Sequence, residues 1–310
     1  MSSEQTSIQK NTTFERNYQV DNIRFILISL VIFGHLIEAF PEVVPSQIYR
    51  VIYSFHMPAF IYLSGLYSSF SLRRILKHLV LPYAVFQMLY RLFRCLLANH
   101  FSFKISFTTP DWILWFLLSL IIYNLLLPVL DSVPKKYRVL IIFISFAVAI
   151  IVGFDSTVES YLTLSRTIVF FPFFILGYYR KKTQVSDSHG FFSSCIFRKP
   201  LLIILLLLVI EAALLAIQPD YPLYYCASPY PSPSDSLIRI LILTSALLWI
   251  KLLFIFVPKR KMAIITSCGE YTLPIYLLHG FLVLWIRSRH LLQFSEPINC
   301  KSQIMTRVSL

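Results

Sequence analysis

Nine apolar runs separated by short polar connectors occupy most of the chain, at residues 22–40, 49–70, 79–98, 112–130, 137–154, 166–179, 201–217, 236–257 and 268–288. A helix needs about 20 apolar residues to cross a hydrocarbon core of about 30 Å, and most of these runs approach that length. The pattern therefore predicts an all-α, polytopic transmembrane helical bundle of about nine spans. The first 20 residues are polar and lack the apolar stretch of a cleavable signal, so the first run would itself direct insertion. We read a cytoplasmic tail at 1–20, one transmembrane domain at 21–290 and a C-terminal tail at 291–310. The proline- and tyrosine-rich connector 218–236 is the longest on the non-cytoplasmic side.

Composition supports this class: 57% of residues are hydrophobic and 14% charged, with a mean hydropathy of +0.69. The net charge of +13 raises the question of a nucleic-acid partner. Its distribution excludes one. Segments 1–24, 71–78, 132–138, 180–199 and 258–261 hold 17 Lys and Arg residues, whereas the intervening connectors hold only Arg50, Lys104 and Arg166. Positive residues accumulate on the cytoplasmic side of membrane proteins, so the N-terminus is expected in the cytoplasm. The five cysteines show no metal-ligand spacing, and no metal is expected.

Within the first run, Arg24 and His35 stand eleven residues apart. On a helix this spacing returns to the same face within about 20° after about 16 Å. Ionisable groups are costly in hydrocarbon, so a titratable imidazole there marks a candidate functional site. Glu38 is one turn beyond His35 on the same face, where a carboxylate can fix the imidazole tautomer and raise its basicity. His56 in the antiparallel second run falls at a similar depth. These three are the candidate general-base machinery. At the opposite end Arg24, Arg73, Arg74 and Lys77 form a basic cluster suited to phosphates. Arg91, Arg94, Arg166 and Trp115 are candidates for contact with an acceptor on the outer side. Trp112 joins Trp115 at the interface, where aromatic belts also occur.

The run Asp21-x2-Arg24-x10-His35, then Tyr53-Ser54-Phe55-His56-Met57-Pro58 and Leu63-Ser64-Gly65, resembles the acyltransferase-3 family of integral membrane O-acyltransferases. Pro110-Asp111-Trp112, Leu164-Ser165-Arg166, Phe170-Phe171-Pro172 and Tyr276-Leu277-Leu278-His279 resemble its fucose 4-O-acetylase-like branch. The resemblance implies transfer of an acyl group, usually acetyl from cytoplasmic acetyl-CoA, to a hydroxyl of a cell-surface glycan or lipid-linked sugar in the bacterial cytoplasmic membrane. No bound cofactor is implied; the partners are the acyl-CoA, the glycan acceptor and lipid. His35 inherits the catalytic role. The family's basic pair entering the third span is matched by Arg73-Arg74-Ile75-Leu76-Lys77, an Arg-x-x-Lys variant.

The family's core usually has ten spans, whereas Arg287, Arg289 and His290 here interrupt the ninth run and the tail beyond is too polar to cross. This keeps two rival expectations in play, a transporter of a small polar or anionic solute and an inactive truncated paralogue. His35 lies off the midplane and no internal repeat is visible, which weighs against a transporter.

Overall fold

A computed structural model describes residues 16–38, 40, 45–98, 106–155, 157, 163–184 and 199–293. Residues 1–15 and 294–310 of the expected tails lie outside the described residues. Among the described residues there is no strand, and every apolar run coincides with helix. The elements are α1 (Tyr18–Ile37), α2 (Ser46–Tyr67), α3 (Leu72–Ile75) continuing through a π-helical turn (Leu76–Val80) into α4 (Leu81–Ala98), α5 (Trp115–Leu125) and α6 (Leu127–Ser132). They are followed by α7 (Arg138–Ile151), α8 (Leu164–Gln184), α9 (Pro200–Ile217), α10 (Tyr221–Tyr225), α11 (Asp235–Phe256), α12 (Ala263–Glu270) and α13 (Thr272–Gln293).

Among the described residues, length and apolarity alone qualify five stretches to cross a membrane: Tyr18–Ile37, Leu72–Ala98, Lys135–Phe154, Pro200–Ile217 and Asp235–Phe256. The α12 and α13 pair, bent by 81° at Tyr271, makes a sixth if it counts as one span. Packing explains why α2 and α8 fall short of that test. They lie in the bundle interior, where neighbouring helices replace lipid, so α2 can bury Arg50, Ser54 and His56. In contrast, α9 turns Leu201, Leu205, Leu208 and Val209 outward and buries only its opposite face.

The α2 and α8 backbones touch. A Cβ on Gly65 would stand 2.1 Å from the Phe174 carbonyl oxygen, and one on Gly177 would stand 2.1 Å from that of Tyr62. Such reciprocal glycines are how helices approach closely where lipid supplies no hydrophobic drive for association. Around this contact Leu27, Ile61, Tyr62, Phe173 and Phe174 are fully buried.

Side chains at its start fix α1 along its axis. Gln19 Nε2 donates to the Phe254 and Val257 carbonyls, and Asn22 Nδ2 to those of Pro258 and Arg260, at 2.7–3.1 Å. Thr266 of α12 donates to Asn22 Oδ1 at 2.7 Å. These bonds satisfy backbone carbonyls at the end of α11 that lack helical partners. They also set the height at which the last turn of α1 presents its side chains.

Candidate active site

His35 occupies the last turn of α1, and Glu38 follows directly after it. Facing them on antiparallel α2 is Tyr53. Its hydroxyl donates to Glu38 Oε1 at 2.5 Å and lies 3.2 Å from His35 Nδ1. Because Tyr53 gives its only proton to the carboxylate, its lone pair is what His35 Nδ1 meets. The network therefore assigns the Nδ1–H tautomer and leaves Nε2 as the basic nitrogen. Glu38 Oε2 lies 3.5 Å from the same Nδ1.

Glu38 is more heavily engaged than a spacing argument can foresee. Besides Tyr53, the hydroxyls of Tyr49 and Tyr225 lie 3.1 and 3.2 Å from Oε1 and are hydrogen-bonded to each other, so one of them donates to the carboxylate and the other to its neighbour. Oε2 is ion-paired to Arg287 of α13, which reaches the His35 carbonyl at 3.4 Å as well. A carboxylate offers about four lone-pair sites, and these are taken. Glu38 is thus an anchor for the imidazole and for three tyrosines, two from α2 and one from α10.

Two further rings enclose His35. Trp112 meets it edge-on at 4.7 Å between centroids, and His279 of α13 stacks on it at 5.6 Å and 21°. Trp112 has φ +30°, a conformation that an aromatic residue rarely adopts and that costs on the order of 1–3 kcal/mol. The surroundings hold it there. Asp111 is ion-paired to Arg91 Nε at 3.0 Å and Arg94 Nε at 2.9 Å, its backbone N–H donates to Gln87 at 2.8 Å, and Arg287 covers the Trp112 ring at 5.0 Å.

Three imidazoles share one arrangement. Nδ1 of His56 donates to the Ile52 carbonyl at 2.7 Å, and Nδ1 of His279 to that of Tyr276 at 2.6 Å. In each, as in His35, Nδ1 is bound to the protein and Nε2 remains an acceptor. His279 Nε2 is buried without a hydrogen-bond partner among the described residues. His56 is set apart from His35 by the Tyr53 ring, which stands edge-on to both.

The sequence-derived candidates divide between the two ends of the bundle. His35, Glu38 and, through Tyr53, His56 converge at one end. Arg166 is beside them, with Nε donating to the Tyr225 carbonyl at 3.2 Å and its guanidinium over Trp115 at 5.1 Å. Arg91 and Arg94 are engaged by Asp111. At the opposite end Arg24 donates to Asp21 at 3.2 Å and covers Tyr67 at 4.9 Å. Arg16 shares Asp21 and also pairs with Glu270. Arg73, Arg74 and Lys77 are exposed, and Arg73 and Lys77 line an open depression of about 540 Å³ with Leu72, Leu76 and Leu81, remote from His35.

The ninth run is not interrupted at Arg287. Helix α13 continues through it to Gln293 and turns the guanidinium inward onto Glu38. A charge that looks like a break in a hydropathy pattern is a member of the site. Sequence spacing could also have found Tyr49 and Tyr53, since Tyr49, Tyr53 and His56 follow i, i+4, i+7 on one face of α2. Tyr225 and Arg287 have no such signal, being 187 and 249 residues from Glu38.

The family profile described as an acyltransferase domain, acyltransferase-3, matches residues 17–298, which includes every element named above. No curated protein and no solved structure matches the chain. With a helical bundle of membrane-crossing segments, an ordered imidazole site and a match over nearly its whole length, the chain belongs to the acyltransferase-3 family of membrane acyltransferases.

Proposed function

We propose that this acyltransferase moves an acetyl group from cytoplasmic acetyl-CoA to a hydroxyl of a cell-surface glycan or lipid-linked sugar, as the resemblance to fucose 4-O-acetylases suggests. The observation that carries this reading is His35 held by Tyr53 and Glu38 with Nε2 left basic, at the far end of α1 from Arg24. In this reading the N-terminus is cytoplasmic and the membrane is the bacterial cytoplasmic membrane, in keeping with 17 cationic residues on one side against three on the other.

Arg24, Arg73, Arg74 and Lys77 would then face the compartment that supplies the donor. Their charge suits its phosphates. The thioester extends along the face of α1 and α2 toward His35. Tyr53 and Tyr67, fourteen residues apart on α2, share that face to within about 40°.

His35 Nε2 accepts the proton of the acceptor hydroxyl as its oxygen attacks the thioester carbon. The C–S bond then breaks, the acyl group is left on the sugar oxygen, and the coenzyme thiolate takes up a proton. General-base assistance of this kind contributes typically about 10² to 10⁴ in rate. The tetrahedral oxyanion needs a positive partner, and Arg287 is the cation nearest His35, with a buried Nε that has no hydrogen-bond partner among the described residues. Glu38 and His56 support the base, and Arg166, Trp115, Arg91 and Arg94 stand where an acceptor would enter.

Purified protein in lipid nanodiscs, supplied with radiolabelled acetyl-CoA and a panel of bacterial surface glycans, tests this directly. Acetyl transfer that is lost in a folded His35→Ala variant is the expected result. Mass spectrometry of surface glycan from cells with and without the gene gives an independent readout. Unchanged acetylation in both assays would overturn the reading.

A further inference from the structure

At the end of the bundle that carries His35, some arginines are paired with carboxylates and others are not among the described residues. Arg287 pairs with Glu38, and Arg91 and Arg94 with Asp111. Arg166 and Arg239 have no carboxylate partner among the described residues. Arg239, in the first turns of α11, is 0% exposed, and none of its three nitrogens has a hydrogen-bond partner among the described residues. Asp235, one turn earlier on α11, forms no ion pair with it and accepts instead from the Ser232 N–H at 2.8 Å, and Glu211 Oε1 is occupied by Ser54, Ser245 and Trp249 at 2.6–3.1 Å. An unpaired buried guanidinium costs several kcal/mol, which a structure retains only for a reason.

The surroundings hold Arg239 in place without neutralising it. Its guanidinium covers the Tyr230 ring at 5.1 Å. Tyr230 is itself pinned, its hydroxyl donating to the Ile150 carbonyl at 2.7 Å and its backbone N–H to that of Gly153 at 2.6 Å. A Cβ on Gly153 would stand 2.3 Å from that ring, so glycine is needed for it to dock. Cys226, a free buried thiol, joins this segment to Arg166: its carbonyl accepts from the Ser165 hydroxyl at 2.8 Å and the preceding Tyr225 carbonyl from Arg166 Nε at 3.2 Å. Arg166 is the partly exposed member of the pair and Arg239 the sealed one. Tyr225 links the pair to the reaction centre, with its carbonyl on Arg166 and its hydroxyl on Glu38.

We propose that Arg166 and Arg239 form a binding site for an anionic group of the acceptor, a carboxylate or phosphate borne by the sugar, one tyrosine side chain away from the hydroxyl held at His35. The assignment to the acceptor rests on the function proposed above; the anion site itself does not. Bridging by one anion would supply the charge that neither arginine finds among the described residues, through charge-assisted and bidentate hydrogen bonds. It would also select acidic acceptors over neutral ones, because a neutral sugar leaves Arg239 unpaired.

The test is ligand-dependent thermal unfolding of the full chain in nanodiscs at constant ionic strength, with glucuronate, glucose 1-phosphate and glucose as probes. The two acidic sugars should raise the unfolding midpoint in a concentration-dependent way, with glucose inert at the same concentrations. The tighter of the two identifies carboxylate or phosphate. Arg239→Gln should weaken acidic-sugar binding at least tenfold, and Arg239→Lys should weaken it less. Should Arg239→Gln fail to fold, Arg166→Gln carries the same expectation, and the contrast of acidic with neutral sugars in the unaltered chain stands alone. Equal effects of glucose and glucuronate, or unchanged acidic-sugar binding in these variants, would overturn the site. Measuring sugar binding and acyl transfer side by side in the unaltered chain separates the two proposals. Acidic-sugar selectivity without any acyl transfer defeats only the function, and acyl transfer without selectivity defeats only this site.

Discussion

The two ends of α1 treat charge in opposite ways. Around His35, a carboxylate, a guanidinium, three phenols and an imidazole are bonded to one another from α1, α2, α10 and α13, in half-buried surroundings. Around Arg24, one aspartate is shared by two arginines, and Arg73, Arg74 and Lys77 stand in the open. Fixed dipoles in a site of low dielectric act on a transition state, whereas exposed mobile cations act on encounter and binding. A change near His35 should therefore lower turnover, and a change near Arg24 should weaken the donor.

The largest effect is expected from His35→Ala, a loss of about 10² to 10⁴ in acyl-transfer rate with the unfolding midpoint little changed, measured by single-turnover transfer and thermal unfolding. A variant retaining most of its rate would move the chemistry elsewhere, with His279 the first alternative. Glu38→Gln should cost about 10- to 100-fold in kcat, less than His35→Ala because the imidazole stays but its tautomer is no longer held. It should also remove about 1–3 kcal/mol of stability, a range kept low because the Glu38 and Arg287 side chains are 17% and 24% exposed. Equilibrium unfolding reads this term separately from rate.

A paired comparison sharpens the contrast further. Arg287→Met should lower kcat by about tenfold with donor KM little altered, and Arg24→Met should raise donor KM by about three- to tenfold with kcat preserved. Steady-state kinetics in acetyl-CoA decides, and matching patterns from the two variants would erase the distinction between the ends. The smallest effects belong to Arg73→Gln, Arg74→Gln and Lys77→Gln. Each should weaken donor binding about twofold at low salt and have no effect near 0.5 M salt, where exposed charges are screened. Binding of acetyl-CoA across a salt series measures this.

Much of the contrast was already legible in the chain. Arg24 and His35 are eleven residues apart, a spacing that sets them on one face about 16 Å apart whatever the neighbours do. Glu38 follows from the i, i+3 relation, and the tyrosines of α2 from i, i+4, i+7. The nine apolar runs mark helices because membrane length and hydropathy are local properties. They mark lipid exposure less well, since α2 and α8 carry polar residues that the bundle interior shelters.

Other features depend on partners that no local rule brings together. Arg287 reads in sequence as a charge that ends a span, and becomes a site residue only because the 81° bend before α13 aims it at Glu38. Arg91 and Arg94 read as cations seeking an anionic ligand until Asp111 is found between them. Arg239 reads as one more residue at the start of a span, and its want of a partner among the described residues emerges only from the packing around it.

Helical periodicity thus established, from the chain alone, the membrane bundle, the separation of Arg24 from His35 and the carboxylate beside the imidazole, because each depends on residues within a few turns of one helix. Which nitrogen of His35 stays basic, which cations are matched and which are not were settled by tertiary packing. Hydrogen bonds and ion pairs act over about 3–4 Å, and the residues that make them here are up to 249 positions apart.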